Sequence, residues 1–240
     1  MEGRPTCLAV DLGIVEYGRA WDLQKRLHAM RVRQEIGDVL LLLEHPPTLT
    51  VGKSGSMKNV LASPERLAQL GISLFFIERG GDVTYHGPGQ IVGYPIMDLK
   101  GRGKDIYRFV TDLEEVMIRT ARDFHVEATR DPGHRGVWVG GGELGAIGLS
   151  VRRWVSMHGF AFNVLTNLDH FTIINPCGLS NRQATSLAAL LDCDIAVEAV
   201  RERVQFHFSA VFDVDIVPLT EEELDRMLDN GLAPAERTLP

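Results

Sequence analysis

An α+β fold, with a mixed β-sheet and flanking helices, is what this sequence predicts, and three observations lead to it. Short β-rich apolar runs crowd the middle of the chain, and helical periodicity marks its flanks. With 240 residues and 45% hydrophobic content, the chain can bury a full core without disulfides or a structural metal. No internal repeat or low-complexity linker divides it. One main domain is therefore expected over residues 1–217, followed over 218–240 by an acidic tail that forms a peripheral helix and a frayed end.

The first helix is expected from Tyr17 to Arg33, with Ala20, Leu23, Leu27 and Met30 on its apolar side. Val39 to Leu43 is short and wholly apolar, as in a strand buried on both faces. Pro46 and Pro47 end it, and Thr48 to Val51 starts another β-rich piece. Leu74 to Ile77 reads as a strand that stops at Arg79-Gly80-Gly81, and Ile91 to Met97 as the strand after a glycine-rich turn. Ile106 to Phe124 is the clearest helix, with Phe109, Leu113, Val116, Met117 and Ala121 in phase. Strands follow at Gly136 to Val139, Leu144 to Val151 and Met157 to Val164, then helices near Thr185 to Leu191 and Val197 to Phe212.

Composition excludes several functions. The formal charge is −7 and no basic stripe stands out, so nucleic acid is not an expected partner. Cys7, Cys177 and Cys193 are too few for a disulfide framework and lack zinc-site spacing. The opening residues carry no basic start before a long apolar run, and no run is long enough to span a bilayer. A cytoplasmic, reducing compartment with no membrane association is the expectation.

The most unusual stretch runs from Arg79 to Gln90 and contains Gly80, Gly81, Gly87 and Gly89. Glycines let a backbone take positive φ and approach a ligand closely. The spacing matches neither a Walker loop nor the dinucleotide fingerprint. A tight structural turn and a binding loop both fit the glycines; Arg79, Tyr85 and His86, which can donate hydrogen bonds to a ligand carbonyl, favour binding.

That segment, Arg-Gly-Gly-x-x-Thr-Tyr-His-Gly-Pro-Gly-Gln followed by Tyr94-Pro95, resembles the signature of the octanoyl-[acyl-carrier-protein]:protein octanoyltransferases. Further matches follow in order: Gly136 to Val139, Ala146-Ile147-Gly148, His158 to Asn163, and Asn175-Pro176-Cys177-Gly178-Leu179. Asp11 to Gly13, Tyr17 and Glu44-His45-Pro46 also fit, so the resemblance covers about Val10 to Phe212. It implies a biotin/lipoate protein ligase-like fold and a two-step transfer. An octanoyl group delivered on the phosphopantetheine arm of acyl carrier protein, with no other cofactor, passes to a cysteine. It then passes to a lysine of a lipoyl domain, in a 2-oxoacid dehydrogenase complex or the glycine cleavage H protein. By the same resemblance the acyl pocket comprises Arg79, Gly80, Gly81, Asp82, Val83, Thr84, Tyr85 and His86, with Ala146, Ile147, Gly148, Gly159, Phe160 and Ala161.

Cys177 matches the family's nucleophile, and Pro176 and Gly178 place it at an apparent turn. Cys7 and Cys193 read as small core hydrophobes. A thiol needs a nearby cation or base to react as thiolate. The family supplies a lysine just before Ala-Ile-Gly; here Glu143 holds that position, and no lysine follows Lys104 anywhere in the chain. An ionised Glu beside the sulfur favours the neutral thiol. Either the chain binds acyl groups without efficient turnover, or another group takes the lysine's role: Glu143 as general base, or His158 or His86 paired with the sulfur. An ATP-dependent lipoate or biotin ligase and a non-catalytic acyl- or lipoyl-domain-binding protein are the competing functions. His86 and His158 read equally as substrate contacts or core braces, and His45 as structural. Lys53 is a pocket neighbour or plain surface charge. Arg152-Arg153 is a meeting point for an acidic carrier protein or a solvated pair.

Overall fold

The computed structural model describes residues 3–175, 183–193 and 195–230. The chain begins with strand β1 (Thr6–Ile14), helix α1 (Tyr17–Val32) and the adjacent strands β2 (Asp38–Glu44) and β3 (Thr48–Val51). Helix α2 (Pro64–Gln69) leads to β4 (Ser73–Phe76), β5 (Val83–His86) and β6 (Gln90–Ile96). Helix α3 (Ile106–Asp123) then precedes β7 (Thr129–Asp131), β8 (His134–Val139), β9 (Gly142–Arg152) and β10 (Val155–Asn163). Helices α4 (Leu187–Leu191) and α5 (Val197–Phe212), strand β11 (Asp215–Pro218) and helix α6 (Glu221–Asn230) complete the described chain.

Among the described residues the strands form two sheets, one of eight strands in the order β11-β1-β2-β6-β10-β9-β8-β7 and one of three in the order β4-β3-β5. Both are mixed: β1 runs parallel to β2 and β11, and β3 parallel to β4, whereas β6, β8, β9 and β10 pair antiparallel. The apolar β2 run is explained by its central place. Leu40 and Leu42 join a core with α3 and α5, while Val39, Leu41 and Leu43 point into a second core with α1 and α6. Burial on both faces removes any need for polar alternation. Asp105 caps α3 by accepting from the Arg108 amide at 2.9 Å, and Phe109 meets Phe212 of α5 edge-on with ring centroids 5.4 Å apart.

Several elements differ from the expectations. Strand β1, which the apolar pattern did not disclose, lies between β2 and β11. The stretch read as one glycine-rich turn contains strand β5, whose Val83 to His86 pair with Val51 to Thr48, and the glycines bound this strand on either side. Residue 217 lies within β11, and the helix expected after it forms as α6, which packs against β1. Its acidic first turn faces outward, where Glu221 pairs with Arg19, while Leu224 and Leu228 are buried in the α1 core. No helix among the described residues is long and apolar enough to cross a membrane.

Candidate active site

Strand β5, the β9–β10 pair and part of β6 enclose a cavity of about 790 Å³ between the two sheets. The antiparallel register of β9 and β10 sets Gly148 opposite Gly159 and Ala146 opposite Ala161, so two sequence motifs separated by a hairpin meet on one wall. From the glycine-rich segment, Arg79, Gly81, Asp82, Val83, Thr84 and His86 line the opposing wall. Gly80 and Tyr85 do not. The Gly80 amide donates to the Leu149 carbonyl at 2.8 Å, which stitches the two walls together. Tyr85 turns away to pack edge-on against His170 and Phe171, and its hydroxyl lies 2.8 Å from His170 Nδ1. Within β5, period-two alternation sets Tyr85 on the opposite face from its neighbours Thr84 and His86, which line the cavity.

Arg79 is buried, with its guanidinium donating to the Thr50 carbonyl at 2.7 Å and to Thr50 Oγ1 at 2.9 Å. Gly148 makes this placement possible, because a Cβ there would stand 2.8 Å from Arg79 Cδ. The Lys53 amide holds the Arg79 carbonyl at 3.0 Å, but its side chain is exposed. Arg152 and Arg153 lie exposed at the tip of the β9–β10 hairpin and do not line the cavity. Arg135 of β8, by contrast, lines it beside Trp138, as Arg79 does on the opposing wall.

On the cavity wall, with His45 behind it, a cluster of rings is held neutral by burial. The His45 Nδ1–H donates to the Val15 carbonyl at 2.6 Å, leaving Nε2 to accept from the Tyr94 hydroxyl at 2.8 Å. Burial lowers its pKa to about 4. His86 falls to about 3 through burial first and then through repulsion from His45. His158 drops to about 4 by burial, partly opposed by the Glu78 carboxylate 3.8 Å away. Burial likewise pushes Tyr17 and Tyr94 upward, so both phenols keep their protons. Sequence reasoning gave Tyr17 and Tyr94 no role in the site beyond their place in matching motifs. Their ring-to-ring arrangement exists only once β6 and α1 are packed together.

His158 and Glu143 occupy opposite ends of the cavity. His158 has φ of 59° and stands opposite Leu149, near the hairpin. Glu143 is at the start of β9, half-buried and lining the cavity. Its amide donates to the Gln183 carbonyl at 2.9 Å, and its carbonyl accepts from the Thr185 amide at 2.9 Å. Cys177, with Pro176, Gly178 and Leu179, lies outside the described residues. On either side, Asn175 and Gln183 both line the cavity, and the Asn175 backbone N–H donates to the Asn59 carbonyl at 2.8 Å.

Comparison with solved structures defines the class through the fold. A putative lipoate protein ligase from T. acidophilum superposes with a TM-score of 0.71 at 16% identity, covering 96% of this chain and 95% of that one. Lipoate-protein ligase A with bound ATP gives 0.71 at 15% identity, with 95% of each chain covered. These likenesses show the lipoate protein ligase fold. A family model described as the lipoyl protein ligase A/B catalytic domain matches residues 16–209. The octanoyltransferase of Caldicellulosiruptor saccharolyticus is 50% identical over 228 residues, covering 94% of this chain and 97% of its own. That of Syntrophobacter fumaroxidans is 43% identical over 92% of this chain and 97% of its own. The chain belongs to the lipoyl protein ligase A/B catalytic family and, within it, to the octanoyltransferases, which are acyltransferases.

Proposed function

We propose that this octanoyltransferase takes its acyl group from octanoyl-acyl carrier protein and passes it, through a thioester on Cys177, to a lysine of a lipoyl domain. The acceptors are the lipoyl domains of 2-oxoacid dehydrogenase complexes and the glycine cleavage H protein, in the cytoplasm, and the chain holds no cofactor of its own. The observation that supports this reading is the convergence of Arg79, Gly81 to Thr84 and His86 with Ala146 to Gly148 and Gly159 to Ala161 on one cavity. The residues bracketing Cys177 in sequence line that cavity too.

Glu143 is the proton carrier in this reading. The Cys177 thiol gives its proton to the Glu143 carboxylate and attacks the octanoyl carbonyl. The carrier's pantetheine thiolate leaves and takes that proton. In the second half the lysine amine attacks the acyl-cysteine, its proton passes through Glu143, and the Cys177 sulfur leaves protonated. His86 and His158 are poor substitutes: an imidazolium–thiolate pair needs a charged histidine, and burial keeps both neutral at physiological pH.

Intact mass spectrometry after incubation with octanoyl-acyl carrier protein tests the proposal. One octanoyl adduct is expected, cleaved by hydroxylamine and absent from Cys177→Ser. Glu143→Gln is expected to slow its formation. No adduct from an intact donor would overturn the thioester, and a parent-rate adduct on Glu143→Gln would overturn the role of Glu143.

A further inference from the structure

Gln90 closes the glycine-rich motif and Asn163 closes the His158 motif, and neither has a role in the chemistry above. Their amides form one chain of hydrogen bonds whose orientation is set by backbone carbonyls at both ends. Gln90 Nε2 lies 3.1 Å from the Tyr85 carbonyl and 2.9 Å from Asn163 Oδ1. A carbonyl only accepts, so the nitrogen of Gln90 must face Tyr85, and its oxygen must face His86 Nδ1, 2.8 Å away. Asn163 Nδ2 donates to the Glu143 carbonyl at 3.4 Å, which turns its oxygen toward Gln90 in agreement. Of this chain, His86 and Glu143 line the cavity, and Gln90 and Asn163 pair across β6 and β10 behind them.

The consequence falls on His86. An oxygen acceptor at Nδ1 requires the proton there, so Nε2 carries an unshared pair. That atom has no hydrogen-bond partner among the described residues and belongs to a side chain that lines the cavity. We infer that Gln90 is a positioning residue that locks His86 in the Nδ1–H tautomer, so that Nε2 accepts a hydrogen bond from a neutral N–H donor of the substrate. The buried Arg79 guanidinium beside the same cavity disfavours a cationic partner there. The octanoyl chain has no donor. Two neutral N–H groups come near it: the amide next to the thioester in the pantetheine arm, and the acceptor lysine as free amine. The inference about the substrate rests on the acyl-transfer reading, whereas the tautomer does not.

Two measurements test it. Long-range proton–nitrogen correlation spectra of the wild-type protein with labelled histidine are expected to show His86 Nδ1 protonated and Nε2 bare, and Gln90→Met is expected to lose that fixed pattern. A protonated Nε2 in the wild type overturns the inference without recourse to any variant. The second measurement compares acyl-enzyme formation from octanoyl-N-acetylcysteamine, which has the amide, with that from octanoyl-ethanethiol, which lacks it. Aminolysis by a lipoyl-domain lysine is then followed separately. If the pantetheine amide is the donor, Gln90→Met slows loading from the amide-bearing thioester by roughly three- to tenfold and spares the other. If the amine is the donor, both loadings are spared and aminolysis slows by a similar factor. Equal effects on all three steps, or none, would mean that Gln90 only braces the fold. Failure of the wild type to load from either thioester would count against acyl transfer itself, with the tautomer still decided by the spectrum.

Discussion

Removing the Arg201 side chain is the most informative perturbation of the frame around the site. Arg201 of α5 reaches Glu44 at the end of β2 at 2.8 Å, and both side chains are about nine-tenths buried, at 12% and 11% exposure. The other Glu44 oxygen accepts from the Gly89 amide at 2.7 Å, in the turn that carries Gln90. Gly89 itself is left-handed, with φ of 78°, and its carbonyl takes bonds from the Val164 and Leu165 amides. Arg201→Met would leave a buried carboxylate without its cation, which costs roughly 3–5 kcal/mol. The second partner, Asp11, is half exposed and adds at most about 1 kcal/mol. A chain of this size loses about 2–4 °C per kcal/mol, so the buried-charge cost alone predicts a fall in Tm of roughly 6–20 °C. Adding Glu44→Gln should recover most of the loss, because the amide oxygen still accepts from Gly89 while the stranded charge is gone. Urea titration and thermal melts of both single variants and the double variant measure this directly. A single-variant cost below about 1 kcal/mol, or a double variant no better than Arg201→Met, would show that the pair does not hold the turn.

Acid should destabilise the protein through its neutral histidines. His45 and His158 have folded pKa values near 4 and His86 near 3, all below the ordinary 6.5 or so, so the unfolded chain takes up protons first. Their contribution is complete above about pH 6.5 and is lost as pH falls from there toward 4 and 3. Urea midpoints between pH 7.5 and 4.5 should decline, with a smaller slope in His158→Gln; a flat profile would contradict the burial argument. At Gly93, an added Cβ would stand 2.3 Å from the Phe160 ring, so Gly93→Ala should cost about 1–3 kcal/mol and push Phe160 toward the cavity. Octanoyl loading should then slow more than butanoyl loading, and equal slowing of the two would refute the cavity part. Leu224→Ala should cost about 2–5 kcal/mol in denaturant titrations because that side chain is 1% exposed; an α6 that merely lay on the surface would show no such loss.

The long amphipathic helix α3 and the apolar strand β2 were legible because local pattern and tertiary burial agree there. Strand β1 was not, since its burial alternates irregularly and its partners come from both ends of the chain. Strand β11 is four residues long and ends in Pro218, which leaves too little pattern to read. For the site, sequence by itself marked candidate segments: the Arg79 to Gln90 stretch and the β9 and β10 motifs. Those follow from residue type and order, which need no coordinates. Only the tertiary structure decided which members of each segment face the cavity. Strand alternation turns Tyr85 away and His86 inward, and the antiparallel register brings Gly148 to Gly159 while carrying His158 far from Glu143. The charge state of the histidines was likewise beyond the sequence. It depends on how deeply each ring is buried and on which carbonyl faces each nitrogen, and both arise only when strands distant in the chain are packed side by side.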